Sequence, residues 1–291
     1  MLRVFITGAS GNTGKVLLGE LSQCGLVPVA GLRGERPTGL LPADCESRAF
    51  TYGNGEQAAA ALAGIQGLFL LVPFHEEMIA WSEQIVAEAK RQGVTFIVRL
   101  SGLDASPDCA SAMGALHGKI DELVMASGID YCILRCNSFM QNFTGHYLGM
   151  IRRHRLIALP EGAARSCFVD TADVAAVAAR IFAEPRLHAG KTYDVGGPEP
   201  LCNAAVADII SDVIGTGVTY RPATDEETER SYRKLGLSPW RIATLMSLSR
   251  YIRQGHAAQT TEVVEHVLGR PPVDFRHFAE RHRGCWLDLA Q

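Results

Sequence analysis

The sequence predicts an α/β protein built around a doubly wound parallel sheet. Short apolar runs alternate with longer amphipathic segments through the first half of the chain, which is typical of a parallel sheet. The apolar runs are nearly continuous in Val, Ile, Leu and Phe, as expected for strands that helices cover on both faces. The predicted elements are strand 2–7, helix 13–24, strand 27–32, helix 55–63, strand 67–73, helix 77–92, strand 95–102, helix 111–127 and strand 130–137.

The alternation becomes less regular after residue 140. Helices are predicted at 144–153 and 173–184, and the residues beyond 201 are mainly helical. We therefore expect residues 1–140 to form the sheet core. Residues 141–291 are expected to form a smaller, mainly helical region with elements that return to the core, so that the two regions make one compact unit.

The composition excludes several function classes. The 28 basic and 31 acidic residues give a formal net charge of -3, which offers no field that would attract nucleic acid or an anionic membrane surface. No apolar run reaches the roughly 18 residues of a membrane span, and the first residues lack the features of a secretion signal. Eight scattered cysteines indicate a reducing, cytoplasmic setting. Cys132 and Cys136 have no second Cys or His pair nearby at ligand spacing, so we expect no metal site.

The strongest local signal is the segment TGASGNTG at residues 7–14, which follows the first predicted strand and opens the first helix. Its first glycine allows a tight turn, its second leaves the backbone bare, and its third lets the helix pack closely, so that amide N–H groups can approach a pyrophosphate. The helix N-terminus adds a partial positive charge. The cofactor-binding residues predicted in this loop are Gly8, Ser10, Gly11, Asn12, Thr13 and Gly14.

The end of the second predicted strand indicates which dinucleotide binds. An NAD-binding unit usually places an acidic residue there to take the ribose 2′-hydroxyl. The sequence at this point is VAGLRGERP, with Arg33 near the position of the usual acidic residue and Arg36 three residues later. A guanidinium suits a 2′-phosphate, so NADP(H) is preferred and NAD(H) stays possible. Either arginine is also consistent with an ordinary solvated loop charge.

Three segments resemble the NmrA-like atypical short-chain dehydrogenase/reductases: TGASGNTG, HGKIDELVMASGIDYCILRCNSFMQNF and FVDTADVAAVAARIF. The resemblance spans residues 1 to about 200 and implies an extended Rossmann fold. It further implies that residues 1–140 are the NADP(H)-binding core and residues 141–291 the substrate-binding region. It does not imply one reaction, because members include quinone reductases, triphenylmethane-dye reductases, clavine-type iminium dehydrogenases, isoflavone-type reductases and redox sensors.

Ordinary short-chain dehydrogenases use a Tyr-x-x-x-Lys pair, in which the lysine lowers the tyrosine pKa for proton exchange with the substrate. Counting back from the SGIDY element places His117 at the lysine position and Met113 at the tyrosine position. Without a tyrosine acid, the easiest substrates accept hydride while already electron-poor or cationic. His117 is the catalytic candidate, binding substrate or donating a proton because imidazole titrates near neutral pH. The alternative is a histidine that only packs on its helix.

Other candidates lie at the predicted carboxyl ends of strands, where an open α/β sheet binds its ligands. Aromatic residues among them could flank the nicotinamide or a flat substrate, although ordinary edge packing would also explain them. The additional cofactor-binding candidates are Val72, Pro73, Phe74, Ser101 and Asn137. The substrate candidates are Phe74, His117, Phe139, Asn142 and Trp240.

The leading hypothesis is an NADPH-dependent oxidoreductase that transfers hydride to a small electron-poor acceptor: a quinone, an iminium ion or a conjugated carbonyl. Binding geometry would supply most of the rate. The alternative is an NADP(H)-binding redox sensor with little or no turnover, and a third possibility is a non-redox step such as epimerisation. The expected partner is a flat or apolar small molecule, and the protein is expected to be a monomer or homodimer.

Overall fold

The computed structural model describes residues 1–34, 41 and 45–287. The chain divides into two compact units, each assembled from several segments. Unit 1 comprises Met1–Cys109, Gly114–Arg135 and Thr171–Asp194. Unit 2 comprises Ala110–Met113, Cys136–Asp170 and Val195–Gln291.

The strands of the described residues are short. In chain order they are β1 Arg3–Ile6, β2 Val27–Leu32, β3 Glu46–Ala49, β4 Gly67–Leu70, β5 Phe96–Gly102, β6 Asp130–Cys136, β7 Leu156–Leu159, β8 Arg165–Ser166, β9 Lys191–Val195, β10 Leu201–Cys202 and β11 Thr219–Pro222.

The helices include one 3₁₀ helix, Met140–Thr144. The α-helices in chain order are α1 Asn12–Gln23, α2 Gly55–Leu62, α3 Met78–Arg91, α4 Ala112–Met125, α5 Leu148–His154, α6 Thr171–Ala183, α7 Pro185–His188, α8 Asn203–Ile214, α9 Asp225–Lys234, α10 Pro239–Arg253, α11 Val263–Leu268, α12 Phe275–Arg281 and α13 Arg283–Trp286. None of the helices in the described ranges is long and apolar enough to cross a bilayer.

Unit 1 is built on a seven-stranded sheet with the order β3-β2-β1-β4-β5-β6-β9. The pairs β1–β2, β1–β4, β2–β3 and β4–β5 are all parallel. Strand β1 lies between β2 and β4, so the direction of chain progress across the sheet reverses beside β1. Such a switch point opens a crevice at the carboxyl ends of the strands, where open α/β sheets bind ligands.

The apolar side chains of the strands supply the core of unit 1. Phe5, Val29, Leu68 and Ile97 come from four adjacent strands and are fully buried. Burial of each such side chain contributes about 1.5–3 kcal/mol. Helix α1 buries a face that includes Leu17, and it packs against α6. Helices therefore cover the strands as the continuous apolar runs predict.

Two glycines in α4 bring this helix into direct contact with the loop that follows β5. A Cβ added at Gly118 would lie 2.1 Å from the carbonyl carbon of Ser106, and one added at Gly114 would lie 2.4 Å from the Sγ of Cys109. A Cβ at Gly102, the last residue of β5, would lie 3.0 Å from the Cδ2 of His117. The glycines thus fix α4, and with it the His117 ring, against the end of β5.

Unit 2 has its own aromatic core. The ring of Phe143 makes edge contacts with Phe168 and Phe275 at centroid distances of 5.3 Å each. The indole Nε1 of fully buried Trp286 donates a hydrogen bond to the Phe143 carbonyl oxygen at 2.9 Å. Strands β7 and β11 pair in parallel, and β8 and β10 pair antiparallel.

The predicted fold class is confirmed, and several elements differ from expectation, among them strands β7 and β11, which were not predicted. Strand β3 was not predicted, because ESRA carries no apolar pattern and joins the sheet by backbone pairing with β2. Strand β4 ends at Leu70 rather than at residue 73. The helix expected at 144–153 is instead the 3₁₀ helix Met140–Thr144 followed by α5.

We expect Gly118→Ala to lower the free energy of unfolding by about 1–3 kcal/mol, because the added methyl group meets backbone that must move. Gly19→Ala is the matched control, since a Cβ at Gly19 in α1 has nothing within 4 Å and alanine favours a helix by up to about 1 kcal/mol. Urea unfolding of both variants measures the difference. Equal stability of the two variants would contradict the contact.

Candidate cofactor-binding and active site

The glycine loop between β1 and α1 makes a tight, closely packed turn. Gly8 has a φ of 68°, which glycine adopts without strain, and the Gly11 N–H donates to the Gly8 carbonyl oxygen at 2.9 Å. A Cβ at Gly14 would lie only 2.3 Å from that same carbonyl oxygen. A side chain at position 14 would therefore push α1 away from the loop.

The first turn of α1 is left open to an external hydrogen-bond acceptor. Its N-cap residue is Gly11, no side chain caps the helix, and its first turn contains no acidic residue. Ser10, Gly11 and Asn12 are exposed, whereas Thr13 is buried. Uncapped N–H groups at the positive end of a helix dipole attract phosphate. The loop therefore fits a pyrophosphate, and Thr13 contributes to the packing side of the turn.

The carboxyl ends of β2, β1, β4 and β5 lie along one edge of the sheet, because these neighbouring strands are parallel. Exposed Arg33 directly follows β2, and Ser101 lies near the end of β5. Arg36 lies outside the described residues. Beyond β4, Val72 is buried, Pro73 is exposed, and half-buried Phe74 packs on the apolar core.

Two side chains that the sequence did not indicate, Thr7 and Tyr52, stabilise this edge. The Thr7 hydroxyl lies 2.9 Å from the Phe69 carbonyl oxygen and accepts from the Leu71 N–H at 2.8 Å. The Tyr52 hydroxyl donates to the Leu71 carbonyl oxygen. Together they tie the segment after β1 to the segment after β4, on the two sides of the switch point.

A charged cluster is buried between β5 and α4. Arg99, in the middle of β5, is fully buried, and its Nη2 lies 2.9 Å from the Nδ1 of His117. Its Nε lies 3.9 Å from Oδ1 of buried Asp121, one helical turn beyond His117. Ser101 donates to Oδ2 of Asp121 at 2.8 Å, and half-buried Arg135 of β6 lies 3.4 Å from the same oxygen.

This cluster sets the protonation of His117. Burial, reinforced by the Arg99 guanidinium, lowers the pKa of His117 to about 3. The imidazole is therefore neutral across the physiological range, and the expectation that it titrates near neutral pH is wrong. Burial raises the pKa of the Asp121 carboxyl, whereas the nearby Arg99 and Ser101 act to lower it. His117 can thus donate a hydrogen bond to a ligand, but it does not act as an imidazolium acid.

The cluster could have been anticipated in part from the sequence. Arg99 is a charged residue inside an otherwise apolar strand, where burial is costly without partners. Asp121 follows His117 by four residues, which places both on one face of a helix. These two signals together indicate a polar network between β5 and α4.

The remaining predicted residues belong to unit 2. The Asn137 amide donates to the Ala257 carbonyl oxygen at 2.8 Å, and its Oδ1 accepts from the Ser138 N–H at 2.7 Å. Its side chain thus anchors the loop around Ala257. Phe139 is half-buried and forms a bridge with Val169.

Asn142 is half-buried in the 3₁₀ helix, and half-buried Trp240 lies in the first turn of α10. An open groove of unit 2 includes neither of these residues nor Phe139. It is lined by Pro198, Glu199, Pro271, Pro272, Val273, Asp274, His277 and Arg281. Among the described residues, no group of three or more His, Cys, Asp or Glu side chains could hold a metal ion.

A family model described as NAD(P)H-binding matches residues 8–185, more than half of the chain. The chain belongs to this NAD(P)H-binding family. The matched range includes the glycine loop, the buried cluster and the strands from β2 to β8. The resemblance identified from the sequence is thereby confirmed at the level of the family.

Two curated relatives show the range of this similarity. An NAD(P)H azoreductase from Xenophilus azovorans is 28% identical over 227 residues, which cover 78% of this chain and 79% of the relative. A festuclavine dehydrogenase from Aspergillus fumigatus is 28% identical over 225 residues, or 77% of this chain and 76% of the relative.

Solved structures confirm the fold. An NADPH-dependent quinone oxidoreductase from Escherichia coli, in complex with NADPH, superposes with a TM-score of 0.82 at 21% identity, covering 96% of this chain and 99% of that one. NmrA, a negative transcriptional regulator in complex with NADP, gives a TM-score of 0.78 at 16% identity, covering 96% and 94%. Both similarities extend over nearly the whole chain.

We expect Gly11→Ala to weaken NADPH binding at least about tenfold, or about 1.4 kcal/mol, while the protein stays folded. The φ of -81° at Gly11 suits alanine, and its Cβ would lie 3.2 Å from the Gly8 carbonyl oxygen, a contact that a small shift relieves. The new methyl group would obstruct the approach of the pyrophosphate to the amides. Fluorescence titration with NADPH measures the change, with Gly19→Ala as the control and urea unfolding as the check on stability. An unchanged affinity for NADPH would contradict the assignment of the pyrophosphate to this loop.

Proposed function

We propose that the protein is an NADPH-dependent oxidoreductase that transfers hydride to a small electron-poor organic acceptor. The observation that carries the proposal is the uncapped, glycine-lined start of α1 at the switch point of the sheet. The relatives named as an azoreductase and a festuclavine dehydrogenase support a redox reaction. Quinones, iminium ions and conjugated carbonyl compounds are the proposed acceptors.

When bound, the nicotinamide supplies the hydride from its C4 position. The chain's own residues bind the cofactor, orient the acceptor and polarise it. We assign the pyrophosphate to the amides of the glycine loop and the 2′-phosphate to exposed Arg33. The cofactor is also assigned the edge residues Val72, Pro73, Phe74 and Ser101.

We propose that the acceptor takes hydride without a tyrosine acid, because Met113 is at the tyrosine position of the Tyr-x-x-x-Lys pair of ordinary short-chain dehydrogenases. His117 is proposed as the residue that contacts the acceptor, through a hydrogen bond from its neutral ring. We propose Phe74, Phe139, Asn142 and Trp240 as further substrate residues. An acceptor that is already electron-poor requires only positioning and modest polarisation, which these groups can supply.

A second candidate function is NADP(H) sensing without turnover. The replacement of both Tyr-x-x-x-Lys positions favours it, as does the structural similarity to the regulator NmrA. Oxidation of NADPH, followed by its absorbance with a panel of quinones, cyclic iminium salts and enones, distinguishes the two functions. Turnover of any acceptor supports the oxidoreductase. Tight NADPH binding with no turnover across the panel supports the sensor.

If Arg33 holds the 2′-phosphate, Arg33→Ala should weaken NADPH binding about tenfold or more, because a charge-assisted hydrogen bond contributes about 1.5–3 kcal/mol. NADH binding should change less than about twofold, since NADH has no 2′-phosphate. Arg91→Ala is the matched control, because Arg91 is exposed on α3 and pairs with Glu88. Titration with both dinucleotides measures the preference, and equal losses for NADPH and NADH would refute the assignment.

His117→Ala should lower kcat at least about tenfold with little change in NADPH affinity, because the variant loses one hydrogen bond to the reacting group. The contribution of His117 should be constant from pH 5 to 8, since its pKa lies at about 3 and the ring stays neutral throughout. Steady-state kinetics over this range, combined with NADPH titration, test both statements. An unchanged kcat would return His117 to a packing role.

A further inference from the structure

The contact between Arg99 and His117 fixes which imidazole nitrogen carries the proton. A guanidinium has only donors and no acceptor. Its Nη2 lies 2.9 Å from Nδ1, so Nδ1 must offer a lone pair and the proton of the neutral ring must reside on Nε2. Of the described residues, only Arg99 is hydrogen-bonded to this imidazole. The Nε2–H group is therefore available to a ligand.

Arg99 also lies near a carboxylate. Asp121 contributes the carboxylate 3.9 Å from its Nε, and Ser101 orients that carboxylate through a hydrogen bond of 2.8 Å. Arg99 and Ser101 are two residues apart in β5, so they share one face of the strand. Burying a charged group costs several kcal/mol of free energy. Arg99 is nevertheless completely buried in the sheet.

The charged groups around the His117 ring lie at different distances from it. The Arg99 guanidinium contacts His117 directly, and its Nε lies 3.9 Å from Oδ1 of Asp121 on α4. Arg135 on β6 lies 3.4 Å from the other carboxylate oxygen of Asp121. It also acts to lower the pKa of Asp194 on β9, which the charge of Asp104 acts to raise. The charge nearest to the imidazole is thus a cation, and it polarises Nε2–H toward stronger donation.

We propose that Arg99 is a positioning residue that locks His117 as the Nε2-protonated neutral donor, and that this donor selects acceptors whose reduction places negative charge on an oxygen. The inference rests on the proposed hydride-transfer function and deepens it by naming the substrate class. Hydride addition to a neutral quinone gives a hydroquinone monoanion, which then takes one proton from water. Hydride addition to an iminium ion gives a neutral amine and develops no anion. A fixed donor backed by a cation stabilises only the first product relative to its reactant, so quinones and conjugated carbonyls are favoured over cationic acceptors.

The tautomer can be measured without turnover. Nitrogen NMR of the full-length protein labelled with ¹⁵N-histidine, with the His117 signals assigned from His117→Gln, should show protonated Nε2 and unprotonated Nδ1 from pH 5 to 8. Arg99→Met should allow tautomer exchange and return the His117 titration toward its ordinary pKa of about 6.5. Arg99→Lys, which retains a donor, should partly restore the tautomer. Arg91→Met is the matched control and should change neither signal.

Acceptor selectivity provides the second measurement. Arg99→Met should lower kcat/KM for 1,4-benzoquinone about tenfold and leave kcat/KM for an N-methyl dihydroisoquinolinium ion unchanged or raised. If Arg99→Met is unfolded by circular dichroism, Arg99→Met/Asp121→Asn removes both charges and takes its place. A wild-type His117 protonated on Nδ1 or titrating near neutral pH would overturn the inference, as would equal losses for both acceptors. If no acceptor turns over at all, the proposed function fails, and the NMR result alone decides the role of Arg99.

Discussion

The close approach of α1 to the loop after β1 is the constraint on which the site depends. A Cβ added at Gly14 would lie 2.3 Å from the Gly8 carbonyl oxygen, so only glycine at this position allows α1 to start so close to the loop. That approach brings the positive end of α1 to the edge of the sheet where β2, β1, β4 and β5 all terminate. The geometry of the proposed cofactor site is therefore set by packing distances between backbone segments.

The buried cluster on β5 and α4 contains polar side chains in a fixed arrangement, whereas the glycine loop offers mainly backbone N–H groups. Arg99, Asp121 and Ser101 form a connected set in which each member restrains the next. Their burial strengthens every interaction among them and keeps His117 uncharged. His117 is therefore a neutral ring whose Nδ1 lies next to the Arg99 guanidinium.

Local patterns were sufficient for much of the fold. The continuous apolar run of β2 predicted Val27–Leu32 with the observed bounds, and the glycine spacing predicted the turn before α1. Strand β3 escaped prediction because its residues are partly exposed and its pairing with β2 comes from backbone geometry. The protonation of His117 also escaped, since it depends on the distance to Arg99, which only the packing of α4 on β5 determines. The burial of Thr13 could not be predicted, because the glycine spacing indicates the turn but not which of its side chains face the interior.

The absence of a side-chain cap at the start of α1 also affects how the protein behaves toward solution components. Donors left open for a pyrophosphate are also open to sulfate, inorganic phosphate or citrate, which are likewise anions with several acceptor oxygens. If the dinucleotide binds at this loop as proposed, buffer anions should compete with it, and apparent affinities should differ between phosphate and a zwitterionic buffer. Crystallisation from sulfate would by the same reasoning tend to fill this loop with the precipitant.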